Sequence, residues 1–533
     1  MVEPTQAVAI SGKEEVPRSA TGERATPVRA ILAFVGACAI GKLFAAWATG
    51  FAGDEAYTAV ISRTLALSYF DHPPLHQWIV HAFAAVAGEG WWLRLPFVLI
   101  IAGINVPLYG LTRRLFGPAA ALWTLFGFNA AIYFVVWPDG LILPDGPLFL
   151  FLISAMWAVA EVLFGPPRSK LCAAALWLAA GLAFGLAGLA KYSAVFAPLS
   201  LFGFLAFSPR HRSWLWRPYP YLGAALAFVV FAPAPIWNVQ HHWVSFAFQS
   251  GRTGGAFTFD ATAFARFAAA LGAQVALLSP WVGAPLVIAL WRAVRSRDPD
   301  SAVRFLLWLV AVPLALFTLM FFRGQNPIPH WFNSAWLFAF PLLGYYLGGK
   351  KPGWLLSWAV SSAALAAVSF AVYVSYDRAG PFWSPADAPV KINDPTLWHF
   401  NWHGLKESAA WQTSGEEPPS FAVVNTWGVG GKAGIALGPA VPVCAFAQDP
   451  REFAFLCDTR ALLGKDALIV IPKEQERALP NIAAYFERLG PTVEVGEGRG
   501  GRTERFVTLT RGYKLLRPYE TPYGIVAESA SGH

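Results

Sequence analysis

The chain has 533 residues, with 40 basic against 32 acidic side chains and a net charge of +8. Hydrophobic residues make up 56% and charged residues 14%, and the mean hydropathy is +0.45, which excludes a string of soluble domains and points to a polytopic membrane protein. The positive balance is not a nucleic-acid footprint. Basic residues collect in short alternate loops (Arg113 and Arg114; Arg168 and Lys170; Arg210, Arg212 and Arg217; Arg292, Arg295, Arg297 and Arg304; Lys350 and Lys351), as the positive-inside rule expects.

Residues 1–28 are polar, mixed in charge and rich in Ser, Thr and Pro, the composition of a disordered cytoplasmic tail. The apolar run that follows ends in Ala46-Trp47-Ala48, which resembles a signal-peptide cleavage site; its length favours a retained span. Apolar runs predict about eleven transmembrane helices, near 30–49, 94–112, 118–137, 146–164, 171–189, 193–208, 219–237, 263–291, 303–322, 331–347 and 354–375. Many of the 24 Trp lie at the ends of these runs, where an indole can keep its apolar body in lipid and its N–H in water. A cytoplasmic N-terminus then puts every basic loop inside and the C-terminus outside.

The outward loops carry the other ionisable groups. The first, 50–93, is long, and its stretches 54–69 and 75–87 are too short and too polar to span, which suits interfacial helices. Asp54, Glu55, Asp71, His72, Glu89, Asp139, Asp145, Lys191, His241, His242, Arg252 and Arg323 all fall on this side. Membrane packing gives no reason to gather them there; substrate chemistry does.

From 376 the composition becomes that of a soluble α/β domain, which the topology places in the periplasm, after a transmembrane domain over 29–375. Strands are expected at Pro419–Val424, Ala467–Ile471 and Phe506–Leu509, and helices at Arg451–Leu463 and Lys473–Leu489. Cys444 and Cys457 fall in this domain, either as core thiols or, in an oxidising compartment, as a disulfide. Gly428-Val429-Gly430-Gly431-Lys432-Ala433 matches the pattern G-x-G-x-x-A, but a dinucleotide site is out of place outside the membrane; a glycine-rich turn is expected, and no nucleotide cofactor.

The most specific motif is Gly53-Asp54-Glu55-Ala56-Tyr57 followed by Tyr69-Phe70-Asp71-His72-Pro73-Pro74-Leu75. With Leu143-Pro144-Asp145-Gly146-Pro147-Leu148, Gly188-Leu189-Ala190-Lys191-Tyr192 and the segment Ile236–Phe246, it resembles the bacterial relatives of the dolichyl-phosphate-mannose protein mannosyltransferases, the family that includes the aminoarabinose transferase of lipid A. The resemblance covers most of the chain in order and spacing. It implies a GT-C fold and an inverting glycosyltransferase in the bacterial inner membrane. Such an enzyme would take sugar from a polyprenyl-phosphate carrier, with a lipid A, core saccharide or other envelope glycan as acceptor. Asp71-His72 departs from the aminoarabinose branch, where an acid–lysine pair stands.

The chemistry assigns roles to these residues. Attack on an anomeric carbon needs a carboxylate to take the acceptor's proton. The departing phosphate is already anionic and needs cations rather than an acid. The resemblance selects Asp54 as base, with Glu55 and Asp145 beside it. His72, Lys191, Arg252 and Arg323 are the candidate donor-phosphate ligands, and Asp71, His72 and His242 the candidate ligands of a divalent metal. Each has a plainer alternative. Asp54 and Asp145 can be helix N-caps, Glu55 a support of its helical turn, Asp71 a turn residue, and Lys191 a snorkelling interface lysine. Protein O-mannosyl transfer and lipid-linked sugar flipping or transport are the competing functions. A transporter would gather polar groups at the membrane midplane, often in internally repeated halves, and neither pattern is visible in this sequence.

Overall fold

The computed structural model describes residues 27–136, 140–252, 254–325, 328–380, 399, 402–405, 407, 408, 417–499 and 502–523. Residues 1–26 of the expected tail, and Asp139, lie outside them. Among the described residues seven helices are long and apolar enough to cross a membrane: Val28–Ala48, Trp91–Phe116, Asp145–Leu163, Lys170–Ala190, Ala261–Leu278, Ala302–Phe321 and Gly353–Ala379. Pro218–Phe231 and Pro233–Gln240, bent by 48° at their junction, are apolar enough only as a pair, the pattern of a broken span or a re-entrant loop. Shorter apolar helices run over Tyr192–Phe207 and Pro280–Val294, and Asn333–Gly348 is another.

Several helices start on a proline whose missing N–H costs nothing there, as at Pro118, Pro218, Pro280 and Pro352. Where two helices must approach closely, glycine allows it. A Cβ on Gly181 would lie 2.1 Å from the Gly223 carbonyl oxygen, so Lys170–Ala190 and Pro218–Phe231 cross backbone to backbone.

Two expected spans are interrupted. The run 118–137 breaks at Ala131 into Pro118–Ala130 and Ile132–Val136. The run 263–291 breaks at Ser279, which has φ 68°, into Ala261–Leu278 and Pro280–Val294. The first half, Ala261–Leu278, packs on neighbouring helices and on the segment before Asn333. Phe264 and Phe267 meet Phe322, Gln274 donates to the Pro329 carbonyl at 2.9 Å, and Trp336 donates to Gln274 at 2.7 Å.

The C-terminal region builds a five-stranded sheet from β1 (Phe421–Val424), β2 (Val443–Ala445), β3 (Ala467–Pro472), β4 (Phe486–Arg499) and β5 (Arg502–Leu515), in the order β2-β1-β3-β5-β4. β1 pairs in parallel with β2 and β3, while β3–β5 and β5–β4 are antiparallel. β1 and β3 are buried along their whole length, with one apolar cluster on each face of the sheet. Cys444 of β2 is disulfide-bonded to Cys457.

The expected strands coincide with β1, β3 and part of β5. The expected helix over 473–489 is instead a turn, Lys473–Ala478, a single helical turn, Leu479–Ala483, and then β4. Phe486 is the switch, because its ring is buried on the sheet against Gly512, and the chain from there pairs with β5 as a strand. The helix expected over 451–463 is only Phe453–Leu456.

The glycine run read as a turn opens a helix, Trp427–Leu437, capped by the Thr426 hydroxyl, which accepts the Val429 N–H at 3.3 Å. This helix lies directly on the first-loop helix Gly53–Ile61. A Cβ on Gly431 would meet the Tyr57 backbone nitrogen at 2.4 Å, and one on Gly434 would meet Val60 at 2.7 Å. The glycines serve close packing, and they dock the sheet domain on the same face of the membrane domain as the first outer loop.

Candidate active site

The site is assembled around Glu55. Its carboxylate is fully buried and takes five donors. Oε1 accepts from Arg94 Nε (2.9 Å), Leu141 N (2.7 Å) and Ile142 N (3.1 Å). Oε2 accepts from Ala52 N (2.8 Å) and Arg94 Nη2. Burial alone would raise its pKa; the Arg94 charge and the N–H donors outweigh that and hold the carboxyl below its usual value. Arg94 also donates to the carbonyls of Ala46 and Thr49, each at 2.9 Å. Glu55 thus ties the end of the first span, the first-loop helix and the segment before Asp145 into one rigid unit. No lone pair is left over for a substrate.

Asp54 is the opposite case. One residue earlier on the helix, its side chain turns by about 100° and is exposed. Its charge acts on both Arg252 and Arg451.

Asp71 is buried and receives the Tyr57 hydroxyl at 3.2 Å and Arg451 Nη1 at 3.1 Å, while Gln249 donates to its carbonyl at 2.8 Å. His72 follows, its ring 5.5 Å from that of His76. Burial, with the nearby charges of Lys191, Arg451 and Arg252, drives the His72 pKa well below its ordinary value against the opposing pull of Asp145. Asp145 opens the helix Asp145–Leu163, and Lys191 follows the helix Lys170–Ala190. Lys191 Nζ donates to both Asp145 oxygens, at 3.0 and 2.9 Å. The charge of His330 also acts on Asp145. Arg252 lies over the ring of Trp331 at 4.7 Å and of Phe248 at 5.4 Å. Lys191, His72, Arg252 and Arg451 therefore gather in one cluster, among Asp54, Asp71 and Asp145.

Three candidates lie elsewhere. Arg323 braces the loop before Ala261, donating to the Gly255 carbonyl at 3.1 Å and lying over Phe257. His241 stacks on Trp237 at 3.9 Å, and His242 is exposed with φ 55°. Asp71 has both oxygens engaged and is not joined by His242. Among the described residues no three His, Cys, Asp or Glu side chains are grouped as a metal site.

This architecture has known counterparts. A family described as dolichyl-phosphate-mannose-protein mannosyltransferase matches residues 71–237. ArnT from Cupriavidus metallidurans, solved bound to undecaprenyl phosphate, superposes with a TM-score of 0.63 over 91% of this chain and 98% of that one, at 16% identity. The chain has the GT-C fold. The oligosaccharyltransferase of Archaeoglobus fulgidus is similar over 85% of this chain and 71% of its own, at 12% identity and a TM-score of 0.50. By sequence, the lipid A galacturonosyltransferase RgtD of Rhizobium johnstonii is 27% identical over 292 residues, 51% of this chain and 55% of the relative, so the chain matches about half the length of that curated relative. This is a multi-pass membrane protein resembling ArnT.

Within this GT-C fold the sheet domain supplies residues that sequence reading missed. Arg451, with φ 47°, points back at Asp71 and lies over Trp427 at 3.7 Å. Glu452 is buried: its Oε2 accepts the Phe70 N–H at 2.6 Å, and its own N–H donates to the Tyr57 hydroxyl at 3.1 Å. Burial, reinforced by Asp71, raises the Glu452 pKa well above the usual carboxylate range. Lys432 is buried beneath the first-loop helix and donates to the Phe51 carbonyl; burial lowers its pKa to about 7, against the pull of Glu55. The only available signal was the turn Asp449-Pro450-Arg451-Glu452, about 380 residues from its partners in the first loop.

Proposed function

We propose that this chain is an inverting glycosyltransferase that moves a sugar from a polyprenyl-phosphate carrier to a hydroxyl of lipid A, a core saccharide or another envelope glycan, at the periplasmic face of a bacterial inner membrane. The observation that carries this reading is the convergence of Lys191, His72 and Arg252 on a cleft edged by the exposed carboxylate of Asp54. Below it, an apolar groove of about 360 Å³ runs between Lys170–Ala190, Tyr192–Phe207 and Pro218–Phe231, lined by Gly188, Tyr192 and Phe231. An isoprenoid chain fits the groove, and its phosphate then falls at Lys191. The bound undecaprenyl phosphate of ArnT and the lipid A substrate in the name of RgtD support both ends of the reaction.

In this reaction the acceptor hydroxyl gives its proton to Asp54 as its oxygen bonds to the anomeric carbon. The bond from that carbon to the phosphate oxygen breaks, and its electron pair leaves with polyprenyl phosphate. Lys191, His72 and Arg252 stabilise the phosphate. Lys191 is held by Asp145 until the donor arrives, while Glu55 and Arg94 hold the helix that presents Asp54. The paired cysteines of the sheet domain support its placement in an oxidising compartment. Its boundary with the membrane domain, near residue 376, belongs to the same reading.

The test is purified protein in detergent with a panel of polyprenyl-phosphate sugars and lipid A, core saccharide or a Ser/Thr peptide as acceptor. Release of polyprenyl phosphate with a glycosylated lipid or saccharide is the expected result. Peptide glycosylation alone would move the protein to the mannosyltransferase reading, and no turnover with any donor overturns the proposal.

A further inference from the structure

A second polar cavity lies at the end of the membrane domain away from the sheet domain. It occupies about 640 Å³ between Pro118–Ala130, Pro280–Val294 and Asn333–Gly348. Its lining includes Arg292 and Lys350 and contains no acidic residue. Both cations contact one ring of the lining, Tyr346, at 4.9 and 4.2 Å. Ala119 and Ala120 line the same cavity, and they open the helix Pro118–Ala130, whose N-terminal amides and dipole add positive potential. Two cations lining one cavity with a helix N-terminus, and no acid beside them, favour an anion there. Val287, Ile288 and Trp291 are exposed on another face of Pro280–Val294, the surface that acyl chains cover.

We propose that this cavity binds the headgroup of an anionic phospholipid, with Arg292 and Lys350 on the phosphate and the acyl chains in the surrounding bilayer. Its size suits a glycerophosphate headgroup, and basic pockets between transmembrane helices are a known mode of anionic-lipid binding. It lies across the membrane from the transfer cleft and is independent of the reading of that cleft.

The experiment is native mass spectrometry of the full chain, titrated with phosphatidylglycerol, phosphatidylcholine or inorganic phosphate. The wild type should retain one phosphatidylglycerol in clear preference to phosphatidylcholine. Arg292→Gln with Lys350→Gln should weaken that binding about thirtyfold, the loss expected for two basic residues beside an anionic lipid. A control pair on the same face, Arg210→Gln with Arg212→Gln, should bind as the wild type does. If the double variant does not fold, Lys350→Gln alone carries the test, with a loss of about fivefold. Equal retention of both lipids, an equal loss in the control pair, or tight binding of inorganic phosphate without lipid preference would each overturn the proposal.

Discussion

Arg451 of the sheet domain reaches Asp71 of the first outer loop at 3.1 Å, across 380 positions of sequence. The next residue, Glu452, accepts the Phe70 N–H at 2.6 Å. Two consecutive side chains of one domain thus fix two consecutive residues of the motif in the other. The sheet domain is part of the cleft wall, and the geometry of Asp71-His72 depends on it.

Glu452 makes that joint pH-dependent. Its folded pKa lies well above 4.5. Between 4.5 and the folded value the folded state keeps a proton that the unfolded chain has lost, so stability falls as pH rises across that window. The stabilisation is complete below 4.5 and is lost as pH passes the folded pKa. Glu452→Gln keeps an oxygen for the Phe70 N–H and removes the titration. Thermal unfolding in detergent should show it more stable than wild type at pH 8, with the difference closing towards pH 5. A constant difference across that range would mean that Glu452 does not titrate with folding.

Gly431→Ala tests the joint without touching a charge. The added methyl would meet the Tyr57 backbone nitrogen at 2.4 Å, and backbone cannot move aside as a flexible side chain can. The domain helix must then lift off the first-loop helix, so activity and melting temperature should fall together. The same change at Gly272, where a Cβ meets nothing within 4 Å, should be tolerated.

The placement of the sheet domain can be tested through its cysteines. In intact spheroplasts, after mild reduction, a membrane-impermeant maleimide should label Cys444 and Cys457. Labelling only after permeabilisation would put the domain on the cytoplasmic side. Replacing both cysteines by Ala should cost about 3 kcal/mol, the value for a loop of this order of length.

How much of this was legible depended on sequence distance. The adjacency of Asp54 and Glu55, the apolar runs and the alternation of basic loops are local signals, and they led to the fold and to the cleft. Local signals failed where tertiary context decided. Lys473–Leu489 has the residues of a helix, yet Phe486 is claimed by the sheet. Glu55 carries the same charge as Asp54 and stands in the same motif. Only the five donors around it show that it supports the site and does not face the substrate.

That difference gives the last prediction, since two neighbouring acids should fail in opposite ways. Asp54→Asn leaves every bond of Glu55 in place and changes only an exposed carboxylate. The protein should express, melt as wild type and still bind a polyprenyl-phosphate sugar, while transfer falls by 10²–10⁴-fold, the usual worth of a general base. Glu55→Gln leaves Arg94 buried without its counter-charge, and breaking one side of a buried pair costs about 3–5 kcal/mol. Its amide nitrogen would also face N–H donors at Leu141, Ile142 or Ala52. This variant should be poorly expressed or melt far below wild type, with activity lost in step with folded protein. The measurement is turnover per folded molecule, taken from size-exclusion and thermal profiles of both variants. A folded, inactive Glu55→Gln beside an active Asp54→Asn would reverse the assignment and make Glu55 the base.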